Sequence, residues 1–227
     1  MEANESNKMS VCNVYLSKYP FPFKKEIFCQ QRREEIEKCR NSSVKEQKMY
    51  VWKLLEYALS DTFGLDISKQ KFQKKKSGKW ILDGCYFSLS HSGNIITVAI
   101  SDSPVGIDVQ IVKKLDQSQK FKAIILSEKE KKKFRNISDE RLLKMWSLKE
   151  CAFKQSDDSN FIPSRYSIDD IPKGVTFKFG QGKDKYILSL LCDNVEKADY
   201  HSLIGEFKTS GMNSPRIKAI NRTLVNI

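Results

Sequence analysis

Between Ser42 and Gly64 the apolar residues Val44, Val51, Leu54, Leu55, Ala58 and Leu59 recur at the three- and four-residue spacing of one helix face. A helix is predicted there, with Gly64 placed to stop it. After a lysine-rich, glycine-bearing stretch, Cys85 to Leu89 and Asn94 to Ser101 read as strands, and Ser101-Asp102-Ser103-Pro104 turns the chain into a third, Val105 to Val112. An antiparallel meander is the expected outcome. The order then returns in outline. Ser138 with the acids Asp139 and Glu140 opens a second helix, whose buried stripe is Leu142, Leu143, Met145, Trp146 and Phe153. Strand-like Val175 to Phe179 and Tyr186 to Leu191 flank the turn residues Gly180 to Asp184, and Tyr200 to Phe207 is a further candidate strand. Two helix-then-strands units are predicted, without a residue-level repeat.

Composition narrows this picture. At 227 residues the chain suffices for one sizeable domain or two small ones. With 40% apolar and 30% charged residues it lies far from disordered chains. Met1 to Ser10 is polar, and the longest aliphatic run, Ile95 to Ile100, is far too short to cross a bilayer, so no export or membrane segment is expected. The six cysteines form no CxxC pair, and His91 and His201 supply no zinc-ligand spacing. Reduced thiols in a cytoplasm are expected. Lys plus Arg outnumber Asp plus Glu by 40 to 28, with much of the excess in Lys69 to Lys79 and Lys129 to Arg135. These runs read either as solvated faces or as a landing surface for a polyanion. Charge does not choose between them.

Three segments carry candidate chemistry. Alternation along Val105 to Val112 sets Ile107, Val109 and Ile111 on one face and Gly106, Asp108 and Gln110 on the other. Asp108 then either faces water or offers oxygen to a hard cation such as Mg²⁺. In the second helix Trp146, Glu150 and Lys154 stand four residues apart on one face. That makes Glu150 and Lys154 an ordinary helix pair, worth about 0.2–0.5 kcal/mol, or part of a site. His91, within Ser88-Leu89-Ser90-His91-Ser92-Gly93, is either a structural histidine or a phosphate partner beside hydroxyls and turn amides.

Taken together, these segments resemble the three signature blocks of the Sfp-type 4′-phosphopantetheinyl transferases. Phe87-Ser88-Leu89-Ser90-His91-Ser92 is similar to the F-N-L-S-H-S block, Gly106-Ile107-Asp108-Val109-Gln110 to G-I-D-I-E, and Trp146 to Lys154 to W-x-x-K-E-x-x-x-K. Ser77-Gly78-Lys79 stands where the family has G-K-P, with Trp80 replacing the proline. Glu37-Lys38-Cys39-Arg40, Lys45 and Lys48 fall where related enzymes use cations on the 3′-phosphate, and Ile125 to Glu130 resembles the segment before the third block. The departure is Gln110, where many relatives carry a second acid.

The resemblance implies an α+β pseudo-dimer of two similar halves, each a long helix on a small antiparallel sheet. The halves would be 1–105, carrying phosphate-binding residues, and 106–208, carrying the metal site, with 209–227 an unassigned tail. It implies Mg²⁺ held by Asp108, Glu150 and Gln110, with coenzyme A as donor and its phosphates on Lys79, Ser90, His91, Lys38, Lys48 and Lys154. Asp108, Glu150 and Lys154 would be catalytic, Glu150 taking the proton from a carrier serine as 3′,5′-ADP departs. Lys149, about 100° round the helix from Glu150, would play a supporting part at most. An apo acyl or peptidyl carrier protein, whether of fatty-acid, polyketide or nonribosomal-peptide synthesis, would bring an acidic helix to Lys129 to Lys133, with Phe121, Ile124 and Phe134 nearby. The protein would act as a monomer without membrane or nucleic acid. Two competing readings are a basic nucleic-acid-binding module and a family-like scaffold that binds coenzyme A without turnover.

Overall fold

No alternation announces the first described strand, β1 (Cys12–Lys18), because Val14, Tyr15, Leu16 and Ser17 are all fully buried. A strand covered on both faces loses its polar stripe. The computed structural model describes residues 11–21, 26–76, 78–115, 118–156, 158–171, 174–181, 183–203, 208–210 and 217–219. Ser77 of the glycine-lysine segment, the end of the candidate strand Tyr200 to Phe207 and most of the tail after 208 lie outside the described residues.

After the short α1 (Gln30–Glu37), the predicted helix forms as α2 (Ser42–Phe63). The Asn41 side chain accepts a hydrogen bond from Val44 N at one end, and Gly64, with φ of +64°, donates to Ser60 O at the other. Only a residue tolerant of the left-handed region closes a helix this way. β2 (Gln73–Lys74) and β3 (Trp80–Ile81) form a minimal ribbon, and β4 (Tyr86–Ser92) and β5 (Ile95–Ser101) pair antiparallel as expected. The third expected strand, β6 (Gly106–Ile111), corrects the meander. Its backbone pairs with β8, in a different sheet.

Beyond β6 come α3 (Ser118–Ile125), α4 (Glu128–Lys133) and α5 (Asp139–Gln155), then β7 (Val175–Gln181), β8 (Asp184–Leu191), β9 (Asp199–Ser202), β10 (Lys208–Ser210) and β11 (Ile217–Ala219). Among the described residues the larger sheet runs β11-β9-β1-β5-β4 and the second β10-β7-β8-β6. β9 lies parallel to β1, so a strand that follows the second unit completes the sheet of the first. The architecture is mixed α+β, as expected.

Alternate residues of β1 and β5 serve two cores. Tyr15, Ile96, Val98 and Ile100 join Trp52, Leu55 and Leu59 of α2, while Val14, Leu16, Ile95 and Ala99 meet Ile107, Val109, Leu188 and Leu190 of the second sheet. The layers therefore stack as α2, first sheet, second sheet and α5. A smaller core, Ile125, Leu126, Leu142 and Met145, seats α3 against α5.

Candidate active site

The two sheets meet where β4 runs beside β6. Period-two alternation turns Ser88, Ser90 and Ser92 toward β6, and their hydroxyls accept from the backbone N–H groups of Ile107, Val109 and Ile111 at 3.0, 3.1 and 3.0 Å. Three hydroxyls thus do what a neighbouring strand's carbonyls would do, satisfying an edge that is buried between sheets. This also explains why the meander does not form.

The same alternation sends Asp108 to the α5 side of β6, where it is fully buried. Ser90 Oγ donates to its Oδ1 at 2.8 Å, Gln110 Nε2 donates to its Oδ2 at 2.9 Å, and Lys154 Nζ stands 3.1 Å from Oδ1. Lys154 Nζ also lies 3.1 Å from Glu150 Oε1 and donates to Ile107 O at 2.9 Å. The strand carboxylate and the helix carboxylate therefore converge on one ammonium.

Close approach of backbones makes this possible. A methyl group on Gly106 would meet the Cys151 carbonyl oxygen at 2.0 Å, so only glycine lets β6 press against α5 at the level of Glu150. Cys151, fully buried, adds an Sγ donation of 3.2 Å to Ser189 O in β8. The glycine of the second block and the third block's helix are in this way one packing unit.

Electrostatics follow from the crowding. Burial first, and then the neighbouring Asp108 carboxyl, hold the Glu150 carboxyl above its ordinary value, against the attraction of Lys154. Burial works against the Lys154 ammonium, but Asp108 and Glu150 together raise it above its usual range. His91, exposed on the opposite face of β4 from Ser90, is held below its ordinary value by the surrounding protein, then by the positive charge of Lys154, Arg32 and Lys48, against the pull of Asp108.

The remaining expected residues lie on other elements and make contacts of their own. Lys79 Nζ donates to Ser156 O at 3.0 Å and reaches Gln155 O at 3.5 Å, so a lysine from the first half caps the carboxyl end of the site helix. Lys38 is exposed at the end of α1. Lys48 Nζ donates to Glu35 Oε1 at 3.1 Å, and sequence reasoning missed its companions. Arg32 and Lys74 contact the same carboxylate at 3.1 and 2.9 Å, with the Arg32 guanidinium over the Trp52 ring. Three cations round one carboxylate have no signal along the chain, because they come from α1, α2 and β2. Ser90, expected on phosphate, here holds Asp108.

Lys149 is not in the site. It is fully buried, and its Nζ donates to Glu130 Oε2 at 2.5 Å and to Ile125 O at 2.7 Å. Glu130 also accepts from Ser127 N and Ile168 N, so it ties the start of α4 and a later loop to α5.

Asp108, Glu150 and the Gln110 amide form an oxygen-rich donor set with two carboxylates, which suits a hard divalent ion that keeps several waters. Among the described residues no group of three or more His, Cys, Asp or Glu is placed to hold a metal ion.

A model of the 4′-phosphopantetheinyl transferase superfamily matches residues 104–201. Over 138 residues, 57% of this chain and 62% of the relative, it is 28% identical to a 4′-phosphopantetheinyl transferase of Bacillus subtilis. Over 66 residues, 28% of each chain, it is 30% identical to one of Bacillus pumilus. The matched stretches thus span less than two thirds of these curated relatives. Residues 104–201 contain β6, α5, β7 and β8, the elements that bring Asp108, Glu150 and Lys154 together, so it is this part of the chain that is similar to the 4′-phosphopantetheinyl transferase superfamily.

Proposed function

We propose that this chain transfers the 4′-phosphopantetheine group of coenzyme A to a serine of an apo acyl or peptidyl carrier protein, releasing 3′,5′-ADP. The observation that carries the reading is the convergence of buried Asp108 and partly exposed Glu150 on Lys154, at the seam between two sheets. Two carboxylates sharing one ammonium leave an uncompensated negative charge, a costly arrangement unless a further cation joins it.

Asp108, Glu150 and Gln110 would hold Mg²⁺, which when bound supplies charge neutralisation for a diphosphate. Glu150 accepts the proton of the carrier serine hydroxyl. Its raised pKa makes it a stronger base than a free carboxylate once ionised. Lys154 hydrogen-bonds the phosphate oxygens that gain charge as the phosphorus–oxygen bond to 3′,5′-ADP breaks. Ser90 fixes Asp108, while Lys79, His91, Lys38 and Lys48 hold the donor's phosphates. The exposed Lys129, Lys132 and Lys133 of α4, and Ile124 of α3 at 59% exposure, offer an acidic carrier helix both charge and apolar contact.

The test is a mixture of the chain, an apo carrier protein, coenzyme A and Mg²⁺, read by intact mass. The carrier gains one phosphopantetheine, and Asp108→Asn abolishes the gain without altering the far-ultraviolet circular dichroism. No gain across a panel of carriers, with DNA retarded at low salt, would move the reading to a basic nucleic-acid-binding module.

A further inference from the structure

Away from the carboxylates, two cysteines meet across the junction of the sheets. Cys12 opens β1 and Cys192 directly follows β8, 180 residues further along the chain, and their Sγ atoms stand 3.1 Å apart. Both are buried, at 4% and 6% exposure, in the core between the sheets beside Tyr200. Cys12 is paired with Ser101 of β5, and Cys192 is the first residue beyond Leu191, which pairs with Gly106 of β6. The separation of the sulfurs is thus set where β1 begins and where the chain leaves β8. A disulfide needs the sulfurs to close to about 2.05 Å, a further approach of about 1 Å.

We propose that Cys12 and Cys192 are a site of disulfide formation, oxidised by a small-molecule disulfide while the chain folds, and that the bond locks the first sheet to the second. The chemistry balances as two exchanges. The thiolate of one cysteine attacks a sulfur of oxidised glutathione, a protein–glutathione bond forms, the glutathione bond breaks and one glutathione thiolate leaves and takes up a proton. The second cysteine's thiolate then attacks the protein-bound sulfur and expels the other glutathione. Two protein thiols are oxidised and one disulfide is reduced to two thiols. Burial of the finished pair determines the timing: the thiol hydrogen bond to Cys192 and then burial keep Cys12 protonated in the folded chain, and a thiol is not the attacking species.

Because the closed loop takes in most of the chain, the bond restricts the unfolded ensemble strongly. The chain is unfolded under reducing conditions and refolded in glutathione buffer with its oxidised form in excess, then alkylated and mapped by mass. The expected result is loss of two hydrogens, Cys12 and Cys192 joined in one cross-linked peptide, and a thermal midpoint at least about 5 °C above that of the reduced chain. Cys12→Ser and Cys192→Ser each remove the cross-link and the rise. Where refolding yield is poor, the fraction that does refold gives the same map. Full alkylation of both cysteines, separate glutathione adducts on each, or a bond engaging Cys29, Cys39, Cys85 or Cys151 instead overturns the proposal.

Discussion

Two lysine–carboxylate sites on α5, at Lys149 and at Lys154, differ in the balance of charge and in exposure. Five residues apart on α5, Lys149 meets one carboxylate, Glu130, with side-chain exposures of 0% and 2%, whereas Lys154 meets two, Asp108 and Glu150, and is 20% exposed. Glu130 has its oxygens filled by Lys149 and by backbone N–H groups. These together hold its carboxyl below the ordinary value although burial pushes it up. Nothing is left for a ligand to do there. At Lys154 the second carboxylate is surplus, Glu150 is pushed up, and the group opens toward solvent. A sealed and neutral pair fastens elements together, while an unbalanced, partly open one is available for chemistry.

This contrast separates rate from stability. The largest expected effect lies at the open site, where Glu150→Gln lowers the proposed transfer by about 10²–10⁴-fold while unfolding free energy shifts by less than about 1 kcal/mol. Single-turnover transfer and urea denaturation on the same sample check both halves. A matched loss of stability would erase the distinction.

At the sealed site the order reverses. Lys149→Met strands the Glu130 carboxylate in a buried place and costs about 3–5 kcal/mol of stability, read by denaturant unfolding. The fraction that remains folded should transfer at the parent rate. A rate loss beyond the unfolded fraction would put Lys149 into the chemistry after all.

The smallest effect concerns the opposite imbalance, three cations round Glu35. Burial would raise this carboxyl, but Lys74, Arg32 and Lys48 bring it down to about 2, from an ordinary value of 4.5. A depressed folded-state value gives stabilisation that is complete above the unfolded value and fades as pH falls from about 4.5 toward 2. Glu35→Gln should therefore lower stability in the neutral region, flatten the acid limb of stability against pH and leave stability near pH 2 little changed. An unaltered acid limb would show that the three cations do not act on Glu35 in solution.

Much of the fold was legible along the chain, for identifiable reasons. α2 and α5 follow from helical spacing and from end residues, Asn41 and Gly64 in one case and Ser138 in the other, all of which act locally. The β4–β5 hairpin follows in the same way from alternation about Gly93. β1 was not legible, since burial on both faces erases its pattern, nor was the departure of β6 from the meander, which depends on serine hydroxyls replacing backbone acceptors. Of the site, Asp108, Glu150 and Lys154 were marked by their blocks. Arg32 and Lys74 were not, because their role exists only where three separate elements meet Glu35.

By itself, then, the sequence determined the two long helices, the hairpin, the family blocks and the identity of the acids and the lysine that carry the proposed reaction. All of these rest on spacings within a few residues. Tertiary structure alone decided that Asp108 is buried rather than solvated, that Ser90 grips it, and that Lys149 pairs with Glu130 while Lys154 joins Asp108 and Glu150. The reason is that burial and charge balance are properties of what surrounds a side chain. Those surroundings are assembled here from strands and helices far apart in the chain, held close by a glycine at position 106 that no larger residue could replace.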